Sequence, residues 1–166
     1  PVAVYASDVN GDGITELPRA VLMAGYKDTS SSDAVYMLDW YAYGIGKVPA
    51  KVATTYQNIS DAWSLLIDQK WHDRITAIKV SDGGLSYVEF FEYRKDKMSI
   101  PLFNIYCATG SNREYYAERT DLIQLGQTTQ AIYFAKLTNE GEQSELALTG
   151  DEIKARFSLI NQAWNN

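Results

Sequence analysis

The sequence predicts an α+β protein in which an antiparallel β-sheet, arranged as a meander, is covered by an amphipathic C-terminal helix. Short β-rich runs separated by glycine, asparagine and aspartate fill most of the 166 residues, as expected for strands joined by turns. The C-terminal segment instead repeats its large apolar residues at helical spacing. The chain has the length of one domain, and its 46% hydrophobic residues supply a sizeable core.

The first third of the chain has the pattern of a β-meander. Pro18 falls at the start of the second expected strand, where a proline is tolerated at a first or edge position. The turn at 44–47 contains two glycines, which adopt positive φ without steric cost and favour a hairpin connection. Strands are expected at 2–6, 17–24, 34–43 and 48–56.

A turn-forming sequence at 58–61 marks the most natural internal boundary. It divides the chain into a β-rich segment, 1–58, and an α+β segment, 59–166, and leaves open whether the two pack as one compact unit. The Asp-Gly-Gly sequence at 82–84 predicts a tight turn between two antiparallel strands. In this second segment strands are expected at 62–67, 75–80, 85–93, 100–108 and 131–138, with a helical turn at 113–119.

The last element is predicted to be a helix that begins with a capping box. The Thr149 hydroxyl can accept from the backbone N–H of Glu152, whose side chain can reach back to the cap. Large apolar residues then follow at steps of four, three and four and should cover the sheet with one face. These residues are Ile153, Phe157, Ile160 and Trp164.

Charge and composition exclude several classes of function. The formal net charge of -6 makes nucleic acid an improbable partner and disfavours anionic membrane surfaces. No apolar run approaches the roughly 20 residues needed to cross a bilayer. A single Cys107 forms no internal disulfide, and a single His72 builds no multi-histidine zinc site. The start at Pro1 suggests a chain trimmed from a longer one.

One motif has the ligand spacing of a calcium loop. Asp8, Asn10, Asp12 and Glu16 place oxygen-bearing side chains at loop positions 1, 3, 5 and 9, and Ile14 would offer its backbone carbonyl at position 7. Calcium takes six to eight oxygens, so a short loop must bend sharply around it, which a glycine at position 6 permits. The alternative is an Asx-rich turn without metal, because turns use the same residues.

This loop differs from an EF-hand. Position 12 is Arg19 instead of a bidentate glutamate, and Leu17 and Pro18 favour extended chain after the loop. The segment at 8–16 resembles the Asp-x-Asn-x-Asp-Gly-x-x-Glu loop of FG-GAP and VCBS-type repeats in extracellular β-propellers, and the calcium loops of dockerins. The resemblance implies a structural Ca²⁺ site, an extracellular location, and a first segment that ends a propeller-like repeat region.

A second resemblance begins after the boundary. The segment Asp-Ala-Trp-Ser-Leu-Leu-Ile-Asp-Gln-Lys-Trp at 61–71 resembles the opening of uncharacterised bacterial cell-surface lipoproteins. The order of elements is also similar to a PsbP-like α/β sandwich, although Gln69 stands where that pattern has proline. The resemblance implies a cell-surface location with a lipid anchor in a preceding region.

The candidate catalytic residues favour a protein that is not an enzyme. His72 is the only candidate general base, and no nucleophile motif accompanies it. Cys107 lies in a β-rich run and is expected to be a small buried residue. Glu89 and Glu92 could form an acid and base pair for glycoside cleavage, but residues three apart in a strand point to opposite faces.

Aromatic residues offer a different function. Clusters at 40–43 and 115–116 lie beside polar residues or glycine, and such rings can form flat platforms for sugars. The expected function is therefore a non-catalytic extracellular or cell-surface module with a structural calcium site. The alternative is a carbohydrate- or cell-wall-binding module that uses exposed aromatics, and a third hypothesis is a hydrolase with dispersed carboxylates.

Overall fold

The computed structural model describes residues 4–26, 34–82 and 84–160 and shows a mostly β protein. Its strands form two five-stranded antiparallel sheets, and the described residues contain only two short α-helices. The prediction of antiparallel β structure is confirmed, and the prediction of a covering C-terminal helix is wrong. None of the helices in these ranges is long and apolar enough to span a membrane.

Sheet 1 is built mainly from the first third of the chain and is completed by the last strand. Its order is β1-β2-β3-β4-β10, so β1 lies at an edge, which is where Pro18 needs no donated hydrogen bond. The strands are β1 (Leu17–Leu22), β2 (Tyr36–Ala42), β3 (Ala50–Asn58), β4 (Trp63–Leu66) and β10 (Phe157–Leu159).

Sheet 2 follows in the middle of the chain, with the order β5-β6-β7-β9-β8. The predicted hairpin at 82–84 is confirmed, because Ile75 pairs with Glu92 at one end and Asp82 with Leu85 beside the turn. The strands are β5 (Ile75–Asp82), β6 (Leu85–Glu92), β7 (Ile100–Thr109), β8 (Ile123–Gln127) and β9 (Ala131–Leu137). Helix α1 (Arg113–Ala117) lies between β7 and β8, and α2 (Gly150–Arg156) precedes β10.

One hydrophobic core connects the two sheets. Tyr56 of β3 meets Phe90 of β6 edge to face with ring centroids 5.4 Å apart, and both side chains belong to the same buried cluster. Trp71 is fully buried in this cluster, and its indole N–H donates to the Leu146 carbonyl at 3.1 Å. Burying each such side chain contributes roughly 1.5–3 kcal/mol, so the two sheets stabilise each other through shared aromatic residues.

The predicted C-terminal helix begins as expected and ends early. The capping box is present, with the Glu152 N–H donating to the Thr149 hydroxyl at 3.2 Å and the Thr149 N–H donating to the Glu152 carboxylate at 2.7 Å. The helix ends at Arg156, and Phe157 is extended and pairs with Leu65 of β4. Helix α2 buries only Ile153, and Trp164 lies outside the described residues.

Three further points concern the predicted boundaries. Residues 4–6 of the expected first strand form no strand, and 1–3 lie outside the described residues. Strand β8 was not predicted. The proposed division at 58/59 falls between two strands that pair, since Asn58 of β3 lies opposite Trp63 of β4. The division into segments 1–58 and 59–166 stays a prediction.

Candidate metal centre

The predicted calcium loop lies at the edge of sheet 1 and leads directly into β1. Its two ends are joined by a β-bridge in which the Ser7 N–H donates to the Glu16 carbonyl at 3.1 Å and the Glu16 N–H donates back at 2.9 Å. Between them, Gly11 and Gly13 both have positive φ, 75° and 83°. The two glycines let the chain curl back on itself between the bridged ends.

The three predicted carboxylate ligands come together in this loop. One carboxylate oxygen from each of Asp8, Asp12 and Glu16 lies within 4.8 Å of the other two. A cation held at about 2.3–2.6 Å from each oxygen fits within that spacing. The loop therefore contains an acidic group that could hold a metal ion.

Backbone hydrogen bonds organise the two exposed carboxylates. Asp8 accepts from the N–H groups of Gly11 at 2.7 Å, Asp12 at 3.1 Å and Gly13 at 2.8 Å. Asp12 accepts from the Ile14 N–H at 2.8 Å. Each carboxylate oxygen has two lone pairs, so one remains on Asp8 Oδ2 and one on Asp12 Oδ1 after these bonds. The loop is thus held in shape by its own backbone while acceptor capacity remains.

Glu16 differs from the other two because it is fully buried. Its Oε2 accepts from the Val9 N–H at 2.9 Å, whereas Oε1 has no hydrogen-bond partner among the described residues. A buried carboxylate oxygen without a donor destabilises the folded state, because it has lost its hydrogen bonds to water and no protein group replaces them. A bound cation would supply the missing partner.

The roles of Asn10 and Ile14 as ligands stay predictions. The Asn10 side chain is joined to Asp12 at both of its polar atoms: Nδ2 donates to the Asp12 carboxylate at 2.9 Å, and Oδ1 accepts from the Asp12 N–H at 3.1 Å. Oδ1 keeps a lone pair for a cation. Ile14 lies between Asp12 and Glu16 in the loop and is half exposed.

The candidate catalytic residues His72 and Cys107 lie in different elements of the fold. His72 lies in the turn after a 3₁₀ segment, and its Nδ1 is 3.5 Å from a carboxylate oxygen of Asp73. Cys107 is only 3% exposed, and burial raises the pKa of its thiol to about 11. A thiol with so high a pKa is almost wholly protonated at neutral pH and is a poor nucleophile.

The two glutamates proposed as an acid and base pair have different partners. Glu89 lies opposite Asn104, whose side-chain N–H donates to it at 3.4 Å. Glu92 is buried, accepts from the Ser144 hydroxyl, and faces Arg74 at 3.6 Å and Arg94 at 3.7 Å. Each carboxylate is thus part of its own polar network.

The aromatic cluster at 40–43 is divided between the interior and the surface. Trp40 is 1% exposed, and its indole N–H donates to the Thr55 hydroxyl at 2.8 Å. Tyr43 is 56% exposed at the end of β2. Only the second of these rings is open to a ligand.

On the outer face of sheet 2 the aromatic rings stack on one another. Tyr106 and Phe134 are nearly parallel, with centroids 4.8 Å apart, and Tyr116 covers Phe134 at 5.1 Å. Stacked rings cover each other's faces, so this column is not a flat platform for a sugar ring. Tyr115 stands at the end of the column and is 61% exposed.

Sequence reasoning missed a cavity of about 540 Å³ that is lined by residues of both sheets. Hydroxyl groups from separate segments line it, including Ser60, Thr109, Thr128 and Tyr133. The Tyr133 hydroxyl donates to the Asp61 carbonyl at 2.8 Å. Because these residues meet only through the fold, no local pattern in the sequence indicates the cavity.

Compared with family models, curated proteins and solved structures, the chain matches none of them. Its function must therefore be inferred from the chemistry of its own residues.

Proposed function

We propose that this chain is a non-catalytic, extracellular or cell-surface module that binds calcium as a structural ion and belongs to a bacterial lipoprotein. The observation that supports it best is the fully buried Glu16, whose Oε1 lacks a donor beside the carboxylates of Asp8 and Asp12. A metal-free Asx turn accounts for Asp8 and its backbone donors, and the Val9 N–H accounts for Glu16 Oε2, but neither accounts for the buried Oε1.

Calcium is the cation that this set of groups fits best. The candidate ligands are all oxygens, which hard cations such as calcium prefer, and they come from one short loop with several backbone donors of its own. Three carboxylates repel one another without a cation and are nearly balanced by a divalent one. Modules outside cells bind calcium at roughly 10⁻⁴–10⁻³ M, an affinity that suits a partly exposed site such as this one.

The expected role of the ion is to hold the first residues of the chain on sheet 1. Ser7 and Glu16 form the only bridge between this segment and the start of β1 among the described residues. An ion bound to Asp8, Asp12 and Glu16 would tie both sides of that bridge together. Because it binds the folded loop only, calcium should stabilise the folded state by mass action.

Thermal unfolding in a calcium titration tests this proposal. At a calcium concentration ten times the Kd, the free energy of unfolding should rise by about 1.4 kcal/mol, which corresponds to roughly 3–6 °C in Tm for a chain of this size. Asp12→Asn should lose most of this shift. Asp96→Asn, in the loop between β6 and β7, removes an exposed carboxylate far from the site and should keep it. A wild-type chain whose Tm does not change with calcium concentration would contradict the proposal.

The alternative function, a carbohydrate- or cell-wall-binding module, is supported by two exposed rings. Tyr43 and Tyr115 are both more than half exposed, and the Arg119 guanidinium lies 5.8 Å from the centre of the Tyr115 ring. A glycan array with wild type, Tyr43→Ala and Tyr115→Ala distinguishes this function from the first. Binding that either substitution removes would favour it.

A further inference from the structure

We propose that the calcium-loaded end of sheet 1 docks on a lipid bilayer that carries anionic headgroups. The contact surface would be a group of exposed apolar side chains, called here the tip patch. It consists of Ile14, Leu17, Tyr43, Ile45 and Val48, which are all at least 47% exposed. This inference rests on the proposed calcium site, because the ion is part of the docking surface.

Strand pairing places the two halves of the tip patch at the same end of sheet 1. Leu17, the first residue of β1, lies opposite Tyr41, and the β2–β3 turn begins two residues later. The calcium loop ends at Glu16, directly before Leu17. The metal centre and the β2–β3 turn are therefore at the same end of the sheet, although Tyr43 and Val48 follow Leu17 by 26 and 31 residues in the sequence.

The turn itself projects its aliphatic side chains into solvent. Ile45 and Val48 are 105% and 88% exposed, so almost no residue of the described ranges packs against either. The turn is closed by the Lys47 N–H, which donates to the Gly44 carbonyl at 3.1 Å, and Gly46 has a φ of 71°. A tight turn of this kind holds its side chains out at the tip of the hairpin.

The form of the tip patch fits a fluid partner better than a protein. A stable protein interface buries about 800 Å² on each partner and needs close shape complementarity, which a few separate side chains on a turn and a loop do not provide. A bilayer adapts its shape to a protruding side chain. Isoleucine and valine can enter the acyl boundary while tyrosine sits at headgroup level.

The charges at this end make docking depend on calcium. Asp39 and Lys51 also lie at this end, opposite Arg19 and Tyr41, and their charges cancel in an ion pair at 3.4 Å. The three carboxylates of the metal centre outnumber the remaining basic side chains, Arg19 and Lys47, so without the ion this end is acidic and anionic lipid repels it. A bound divalent ion makes the net charge of this end positive. The overall charge of -6 then acts at a distance, where salt screens it.

Vesicle co-sedimentation tests the inference, with vesicles of phosphatidylcholine and phosphatidylserine in excess calcium or in chelator. Wild type should sediment with the vesicles in calcium and stay in solution in chelator. Replacing the two most exposed residues of the tip patch by serine, Ile45→Ser with Val48→Ser, should weaken vesicle binding at least tenfold, because each is a large apolar side chain. Met98→Ser with Ile78→Ser removes one exposed apolar side chain from the loop between β6 and β7 and one from β5, and should leave binding unchanged.

Calcium-dependent Tm separates this inference from the proposed function. The Ile45→Ser/Val48→Ser variant should keep the wild-type Tm and its calcium shift, which shows that it is folded and loaded. A wild-type chain with a calcium shift but without vesicle binding would overturn the docking inference and leave the calcium site intact. Equal binding in chelator would also overturn it. So would a dimer in sedimentation velocity that the tip substitutions dissociate, since a second copy would then cover the tip patch.

Discussion

At the scale of single residues, Glu16 combines two properties that conflict without a cation. It is completely buried, and one of its carboxylate oxygens has no donor among the described residues. Asp8 and Asp12 could be found from their spacing alone, because the loop is contiguous in sequence. The burial of Glu16 could not, because it depends on the bridge to Ser7 and on the edge of a sheet that forms later in the chain.

Glu16→Gln should separate two effects of the buried carboxylate: the stability that it costs the metal-free chain and the calcium affinity that it provides. The substitution keeps the size of the side chain and an acceptor for the Val9 N–H but removes the buried charge. We expect the Tm in chelator to stay the same or rise, and the affinity for calcium to fall at least tenfold, or about 1.4 kcal/mol. Thermal unfolding at a series of calcium concentrations measures both.

Glu118→Gln, at an exposed position after α1, provides the matched control. It should leave both the Tm in chelator and the calcium shift unchanged. If Glu16→Gln lowers the Tm in chelator and leaves the calcium shift intact, Glu16 is a structural acceptor and not a ligand.

At the scale of elements, the chain's hairpins were predictable because their turns are encoded locally. The Asp-Gly-Gly turn and the glycines at 44 and 46 both join strands that pair as expected. The strand predicted at 62–67 is confirmed, since this run contains β4. Strand β8 was missed because it is only five residues long, and its apolar–polar alternation covers three residues before Gly126 interrupts it.

The C-terminal helix shows where spacing fails to decide between structures. Ile153 and Phe157 are four residues apart, which fits one face of a helix. Phe157 and Leu159 are two residues apart, which equally fits one face of a strand. Pairing with β4 decided the outcome, because it places Phe157 against Trp63 and Tyr133, with ring centroids 5.9 and 5.7 Å away. That contact joins residues far apart in sequence and has no local signal.

Phe157→Ala should therefore cost about 3–5 kcal/mol, even though the residue is not helical. The substitution leaves a cavity between Trp63 and Tyr133 in the shared core. Lys154→Ala, on the exposed side of α2, is the control and should change the free energy of unfolding by less than about 0.5 kcal/mol. Equal stability of the two variants in urea denaturation would show that β10 contributes little to the core.

At the scale of the whole molecule, the order of the strands is the feature that sequence reasoning could not supply. Strand β10 belongs to sheet 1 although it follows all the strands of sheet 2 in the sequence, and β9 lies between β7 and β8 in sheet 2. Both arrangements depend on packing between distant segments. The predicted division at 58/59 reflects a turn, whereas the strands on either side of it pair with each other.

The shared core predicts that both sheets unfold together, and the chain contains separate reporters for the two. Trp40 and Trp63 lie in sheet 1 and report on it once Trp71 of the shared core and Trp164 are replaced by phenylalanine, and the buried Cys107 lies in β7 of sheet 2. Because burial raises the thiol pKa to about 11, Cys107 should react with an alkylating reagent at pH 8 about 100-fold more slowly in the folded chain than in the unfolded chain. Exposure of the thiol therefore marks the unfolding of sheet 2.

In urea, the transition followed by tryptophan fluorescence and the one followed by pulsed alkylation of Cys107 should have the same midpoint. Tyr56 and Phe90 are packed ring against ring across the two sheets, so neither sheet can open without exposing the core of the other. Loss of calcium should lower both midpoints by the same amount, because the two sheets fold as one unit and the ion binds only the folded state. Two separate midpoints, with calcium moving the fluorescence transition alone, would instead mean that sheet 1 and sheet 2 unfold independently.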